Sequence, residues 1–142
     1  MVVRSISSAI LAVSLLALPL QVKARTIGKI VILESGLSAE PENPDLSRAC
    51  KKFRPTVKQV KNYFHKAYPV PKRFSLHERY SGCYATGTIE FDNFGKAGWS
   101  LSSGGTATIE WNETEIVDVF YNRYSWNDPN ACSYGMSSEP EC

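Results

Sequence analysis

The clearest periodicity in the chain lies between Thr56 and Ala67, where Val57, Val60, Phe64 and Ala67 recur at spacings of three and four and trace one helix face. Thr56 opens this run as a T-x-x-Q capping box with Gln59, which satisfies two orphan amide donors. Lys58, Lys61 and Lys66 fall on other faces, and Pro69 and Pro71 end a helix of about 13 residues. From Tyr84 the period becomes two. Ala85, Gly87, Ile89 and Phe91 share one face, while Tyr84, Thr86, Thr88 and Glu90 share the other. Three more alternating runs follow, around Trp99 and Leu101, over Thr106–Trp111 and over Ile116–Tyr121. Turn chemistry separates them at Asp92-Asn93-Phe94-Gly95, Ser102-Ser103-Gly104-Gly105 and Asn112–Glu115. Such short connections force antiparallel pairing, because a parallel neighbour needs a long crossover.

Upstream, Thr26–Leu33 is rich in Ile and Val and reads as a strand. Ser35–Ser47, with Gly36, Pro41, Pro44 and several acids, reads as an exposed loop. The predicted architecture is α+β, one amphipathic helix packed on a four- to five-stranded antiparallel meander sheet. Its inner face is expected to carry Ile89, Phe91, Trp99, Leu101, Ile109, Trp111, Val117 and Val119, with Val57, Val60 and Phe64 of the helix as the lid.

The first 24 residues follow a different pattern. Arg4 precedes Ile6–Leu20, a run of 15 residues without a charge, and Val22 and Ala24 occupy the −3 and −1 positions of a small-residue cleavage site. A membrane-spanning helix wants about 20 apolar residues; this run is shorter and is interrupted by Pro19. Residues 1–24 are therefore expected to be a signal peptide and residues 25–142 one domain, periplasmic or secreted and not inserted in a membrane after cleavage.

Export gives the cysteines a meaning. Cys50, Cys83, Cys132 and Cys142 all follow the signal, and in an oxidising compartment four cysteines read as two disulfides with three connectivities. Their spacings contain no C-x2-C or C-x4-C pair, which disfavours zinc. The preferred pairing is Cys50–Cys83 with Cys132–Cys142, the second tying down a Gly/Ser/Pro-rich tail; Cys83–Cys132 is the main rival.

Pro55-Thr56-Val57 through Phe64 and Ala67, then His77, then Cys83-Tyr84-Ala85-x-Gly87-x-x-x-Phe91 and Gly98-Trp99, resembles a family of small exported bacterial proteins with no assigned activity. The resemblance spans roughly Phe53 to Trp111 and implies export and fold, but no chemistry. Members of that family end with a closely spaced cysteine pair after the last strand. Tyr121-Asn122-Arg123-Tyr124 has none, so their disulfide pairing does not carry over.

Charge adds one further feature. Residues 25–142 balance 14 Lys+Arg against 14 Asp+Glu, which argues against a globally basic nucleic-acid binder. The balance conceals a segregation. Residues 48–79 hold ten Lys/Arg, among them Lys51, Lys52, Lys58, Lys61 and Lys66, against Glu78 alone; residues 80–142 hold Lys96 and Arg123 against nine acids. Either the two regions neutralise each other, or they form a bipolar surface that steers a charged protein partner. Glu90, Glu110 and Asp118 are predicted on one polar strand face, where paired carboxylates could serve acid–base chemistry, but the threonines around them suggest an open, wet surface. His65 and His77 lack a third ligand nearby, so no metal or other cofactor is expected. No nucleophile elbow, zinc-protease, P-loop or dinucleotide motif is present.

These features favour a non-enzymatic binding protein of inhibitor or immunity type that meets a protein through a charged surface. A small periplasmic hydrolase working from the acidic strand face and a structural envelope component are the alternatives. N-terminal sequencing of the exported product is expected to begin at Arg25; a product retaining Met1 contradicts the cleavage site.

Overall fold

The computed structural model describes residues 26–131, 133 and 134. The expected signal peptide and Cys132 and Cys142, expected to bridge each other, lie outside these residues. The elements run β1 (Ile27–Ser38), α1 (Pro44–Cys50), α2 (Val57–Lys66), β2 (Tyr68–Pro69), a π-helical turn at Phe74–Glu78, then β3 (Cys83–Phe91), β4 (Gly95–Ser102), β5 (Thr106–Asn112) and β6 (Glu115–Phe120).

The meander forms as its alternation demands. β3 pairs antiparallel with β4 from Tyr84 opposite Ser102 to Phe91 opposite Gly95. β4 pairs with β5, and β5 with β6, in the same sense. β1 joins beside β3 and β2 beside β6, so the sheet has six strands in the order β1-β3-β4-β5-β6-β2 rather than four or five. The alternating residues Cys83, Ala85, Ile89 and Phe91 are buried on one face together with Ala97, Trp99, Leu101, Ala107, Ile109 and Val119.

α2 begins as its sequence dictates: the Thr56 hydroxyl accepts from the Gln59 amide, and the Gln59 side chain accepts from the Thr56 amide. It ends at Lys66, earlier than expected, because Tyr68 and Pro69 turn extended and pair with Phe120 and Val119. Proline disfavours helix in the residue before it, so Tyr68 is biased towards this extended state. The buried stripe is Val60, Tyr63 and Phe64; Val57, expected in it, is 47% exposed. Tyr63 occupies the fully buried position instead, with its hydroxyl donating towards the carbonyls of Gly105 (3.0 Å) and Val119 (3.2 Å). One proton shared between two carbonyls lets a polar tip sit in the core at little desolvation cost.

The predicted loop over 35–47 is largely regular structure. β1 continues to Ser38 through register shifts against β3, with Gly36 at φ +72°. Asn43 caps α1, accepting from the amides of Asp45 and Leu46, and Pro44 stands in the first turn, where its missing N–H costs nothing. The Pro44 that reads as a breaker is thus a helix start.

Cys50 at the end of α1 is bonded to Cys83 at the start of β3, as preferred, and this pairing excludes the Cys83–Cys132 rival. Both are fully buried. Closing a loop over a separation of 33 residues restricts the unfolded chain, worth roughly 4 kcal/mol in the chain-entropy picture.

Gly87 leaves room for its two neighbouring strands. A Cβ there would collide with the Val31 carbonyl oxygen of β1 and with the Trp99 indole. Backbone cannot yield as a side-chain tip can, so Gly87→Ala is expected to destabilise the fold by about 3 kcal/mol. Denaturant midpoints measure this; an unchanged midpoint contradicts the close packing.

Candidate functional site

The helical layer carries the basic residues. Lys51 caps the end of α1 and Lys52 follows, both exposed. Burying Val60, Tyr63 and Phe64 against the sheet turns Lys58 and Lys66 to solvent and leaves Lys61 half-buried. Lys66 places its ammonium 5.7 Å from the centre of the Tyr121 ring. Among the described residues the ion pair found is Arg48 with Asp45, both on α1 and 3.1 Å apart. None of these five lysines therefore has a described carboxylate within ion-pair distance. Exposed Val57 at the start of α2 and exposed Tyr68 of β2, just beyond its end, add apolar surface at the two ends of the helix.

The acids lie on the opposite side of the sheet. Glu90, Glu110 and Asp118 alternate with buried inner-face residues and do share the outer face, as predicted. They do not converge. Glu90 stands opposite Lys29 on β1 and Lys96 on β4, Glu110 opposite Gly98 and Ile116, and Asp118 opposite Thr108. Asp118 accepts a hydrogen bond from the Thr108 hydroxyl at 2.8 Å. Glu110 lines a shallow hollow of about 270 Å³ with Thr86, Ser100 and Thr108, a hollow that neither Glu90 nor Asp118 reaches.

Two larger cavities are mainly apolar. One of about 380 Å³ sits where the end of α2 lifts from the sheet, lined by Phe64, Phe91, Ile109 and Val119 with His65 and Tyr68 at its rim. The other, about 500 Å³, lies at the hairpin tips between Trp111, Ile116 and Val117, with Glu115 as its acid. Neither brings two carboxylates together. Among the described residues no cluster of three His, Cys, Asp or Glu side chains forms that could hold a metal ion. His65 and His77 are both exposed.

A buried polar cluster escaped the sequence reading. Asp128 accepts from the Ser103 hydroxyl at 2.7 Å, the Tyr124 hydroxyl at 3.0 Å and the Asn130 amide at 3.0 Å. Ser81 and Ser103 share a hydrogen bond of 2.7 Å, and the Asn130 side chain donates to Ser81 and weakly to the Cys83 sulfur. Trp126 donates its indole N–H to the Ser103 carbonyl and packs its ring on Phe53 and Tyr63. This network ties the segment after β6 to the start of β3 and the β4–β5 turn. The Tyr134 hydroxyl is buried beside it without a hydrogen bond of regular geometry. The hydrogen bonds within this group serve the Asp128 carboxylate and both serine hydroxyls, the pattern of a structural network. The sequence signal was the concentration of Tyr124, Trp126, Asp128 and Tyr134 in a segment without periodicity.

No protein-family model matches the chain, and neither does any curated protein or solved structure.

The buried phenols make the fold sensitive to alkali. Burial raises the ionisation of Tyr63 well above the ordinary value, with Tyr68 adding to it. Burial also raises Tyr124, reinforced by the Asp128 carboxylate, and pushes Tyr134 up to about 12. The folded state thus holds these protons more tightly than the unfolded chain does. Their contribution is complete below pH 10, the ordinary phenol value, and is lost as pH rises above it, for Tyr134 through about 12 and for Tyr63 and Tyr124 through their own raised values. Tyrosinate absorbance should show late ionisation of three of the seven tyrosines, concurrent with loss of near-ultraviolet circular dichroism. Seven phenols titrating together near pH 10 with the fold intact contradict it.

Proposed function

We propose that this chain is exported, cleaved after Ala24 and belongs with the small exported proteins it resembles, and that it is a non-enzymatic binding protein of inhibitor or immunity type. Its partner is an acidic protein, received by the helical layer. The observation that carries this reading is the pairing state of Lys51, Lys52, Lys58, Lys61 and Lys66: none is satisfied by a described carboxylate, while the outer-face acids lie across the sheet. The layers keep these opposite charges from neutralising each other in contact pairs.

Unpaired surface charge of one sign draws in an acidic partner and orients it, raising the association rate. Affinity then needs apolar surface excluded from water, which Val57 and Tyr68 supply beside the lysines. The buried Cys50–Cys83 bridge supports this reading, since a disulfide of this kind persists in an oxidising compartment. The spread of Glu90, Glu110 and Asp118 over three strands weighs against a carboxylate hydrolase, whose two acids must flank one bond.

A pull-down from the envelope fraction of the exporting organism supplies the partner. Lys58→Glu with Lys61→Glu should then lower the association rate about tenfold or more at low salt. The deficit should shrink as salt rises, because exposed charges are screened over about 8 Å at physiological ionic strength. The melting temperature should change little, since neither side chain belongs to the buried stripe. Should Glu110→Lys carry the loss while the lysine reversals are silent, the contact is the outer sheet face and the helical-layer reading fails.

A further inference from the structure

The two margins of the sheet differ sharply. At one, β2 contributes Tyr68 and Pro69, and proline has no amide to donate. At the other, β1 runs for 12 residues with β3 on one side and no described strand on the other. Natural sheets blunt such edges with prolines or charges, because unpaired amides and carbonyls template pairing. The middle of β1 has neither. Ile30-Val31-Ile32-Leu33 is an uncharged run of β-branched and aliphatic residues, and Leu33 is 65% exposed.

Charges bracket this run in a self-complementary way. The register against β3 sets Lys29, Val31 and Glu34 opposite Glu90, Thr88 and Thr86 on the outer face. Ile30 and Ile32 stand opposite Ile89 and Gly87 on the inner face. A register shift between Ile32 and Glu34 places Leu33 in a bulge, where it lines the outer-face hollow with Thr86. Lys29 and Glu34 therefore share a face although their numbers differ in parity.

We propose that β1 pairs antiparallel with β1 of a second copy of this chain, about a twofold axis at Val31. In that register Val31 meets its symmetry mate, Ile30 meets Ile32, and Lys29 meets the Leu33–Glu34 bulge of the other copy. The axis repeats each contact, so two opposite-charge crosses flank an apolar centre. Like residues opposite like faces continue the inner and outer surfaces across the junction, giving one sheet of twelve strands. Growth stops there. Identical strands pairing antiparallel make an isologous contact that occupies the β1 edge of both copies, so the assembly is a closed dimer rather than a fibre.

The test is sedimentation equilibrium of the oxidised product exported from the full reading frame, without any partner. Wild type is expected at twice the chain mass. Glu34→Lys sets lysine against lysine across both crosses and should raise the dimer dissociation constant about tenfold. Lys29→Glu should do the same, and Lys29→Glu with Glu34→Lys should restore dimerisation. Glu34→Lys is the cleaner single change, because residue 34 faces Thr86 within its own sheet while Lys29 faces Glu90. Melting temperatures of the variants establish that the fold persists. A monomer at every concentration overturns the proposal, as does a dimer that the single changes do not weaken or the double change does not restore. None of these outcomes depends on whether the helical-layer lysines bind an acidic protein.

Discussion

The covalent link between Cys50 and Cys83 governs how the helical layer meets the sheet. β1 and β3 are neighbours in space, yet both helices and the π-helical turn intervene between them in the chain. Forming that pair means closing a long loop before any ladder hydrogen bond rewards it, and the bridge removes much of that entropy from the unfolded state. It also fixes the end of α1 at the first residue of β3, so that Phe53 and α2 approach the inner face from a set position. A chain of this size buries a modest core, and one such constraint is a sizeable part of a typical stability margin.

The segment after β6 closes what the bridge begins. Trp126 packs between Phe53 and Tyr63, and stacks on Tyr124, whose hydroxyl is held by Asp128. Asp128 in turn accepts from Ser103 in the β4–β5 turn, and Asn130 reaches the Cys83 sulfur. A buried carboxylate is tolerable only when its oxygens are served in this way. The same hydrogen bonds hold the segment after β6 against the β4–β5 turn. Gly105, at φ +88° and accepting through its carbonyl from the Tyr63 hydroxyl and the Tyr121 amide, lets the turn pass against the Tyr124 ring.

The surface that remains is divided by architecture. In a two-layer fold, residues of the helical layer and residues of the outer sheet face look in opposite directions. A basic helical segment and acidic strands then become a charge separation across the molecule rather than a set of contact ion pairs. Along the sheet plane the asymmetry is of backbone rather than charge: among the described residues no strand covers the 12-residue β1 edge, while β2 covers β6 only at Val119 and Phe120. The lysine layer and the β1 edge differ in chemistry, one electrostatic and apolar, the other main-chain hydrogen bonding.

Local chemistry in the sequence was enough for the elements whose signals are local. The capping box at Thr56 and Gln59, the two-residue period of β3, the turns at Asp92 and Ser102 and the antiparallel meander depend on neighbours within a few residues, and all are found. The Cys50–Cys83 pairing is the one the sequence favours, although four cysteines admit three connectivities until space is specified. Tertiary structure decided the rest. Pro44 serves as a helix start because Asn43 caps the turn before it. Tyr63 displaces Val57 from the core because carbonyls of Gly105 and Val119, more than 40 residues away, are there to receive its hydroxyl. Tyr68 and Pro69 leave the helix because β6 offers a ladder partner. Asp128 is buried because serine, tyrosine and asparagine from distant segments surround it. The common faces of Glu90, Glu110 and Asp118 followed from strand parity, a local property. Their failure to converge followed from register across three strands, which only packing sets.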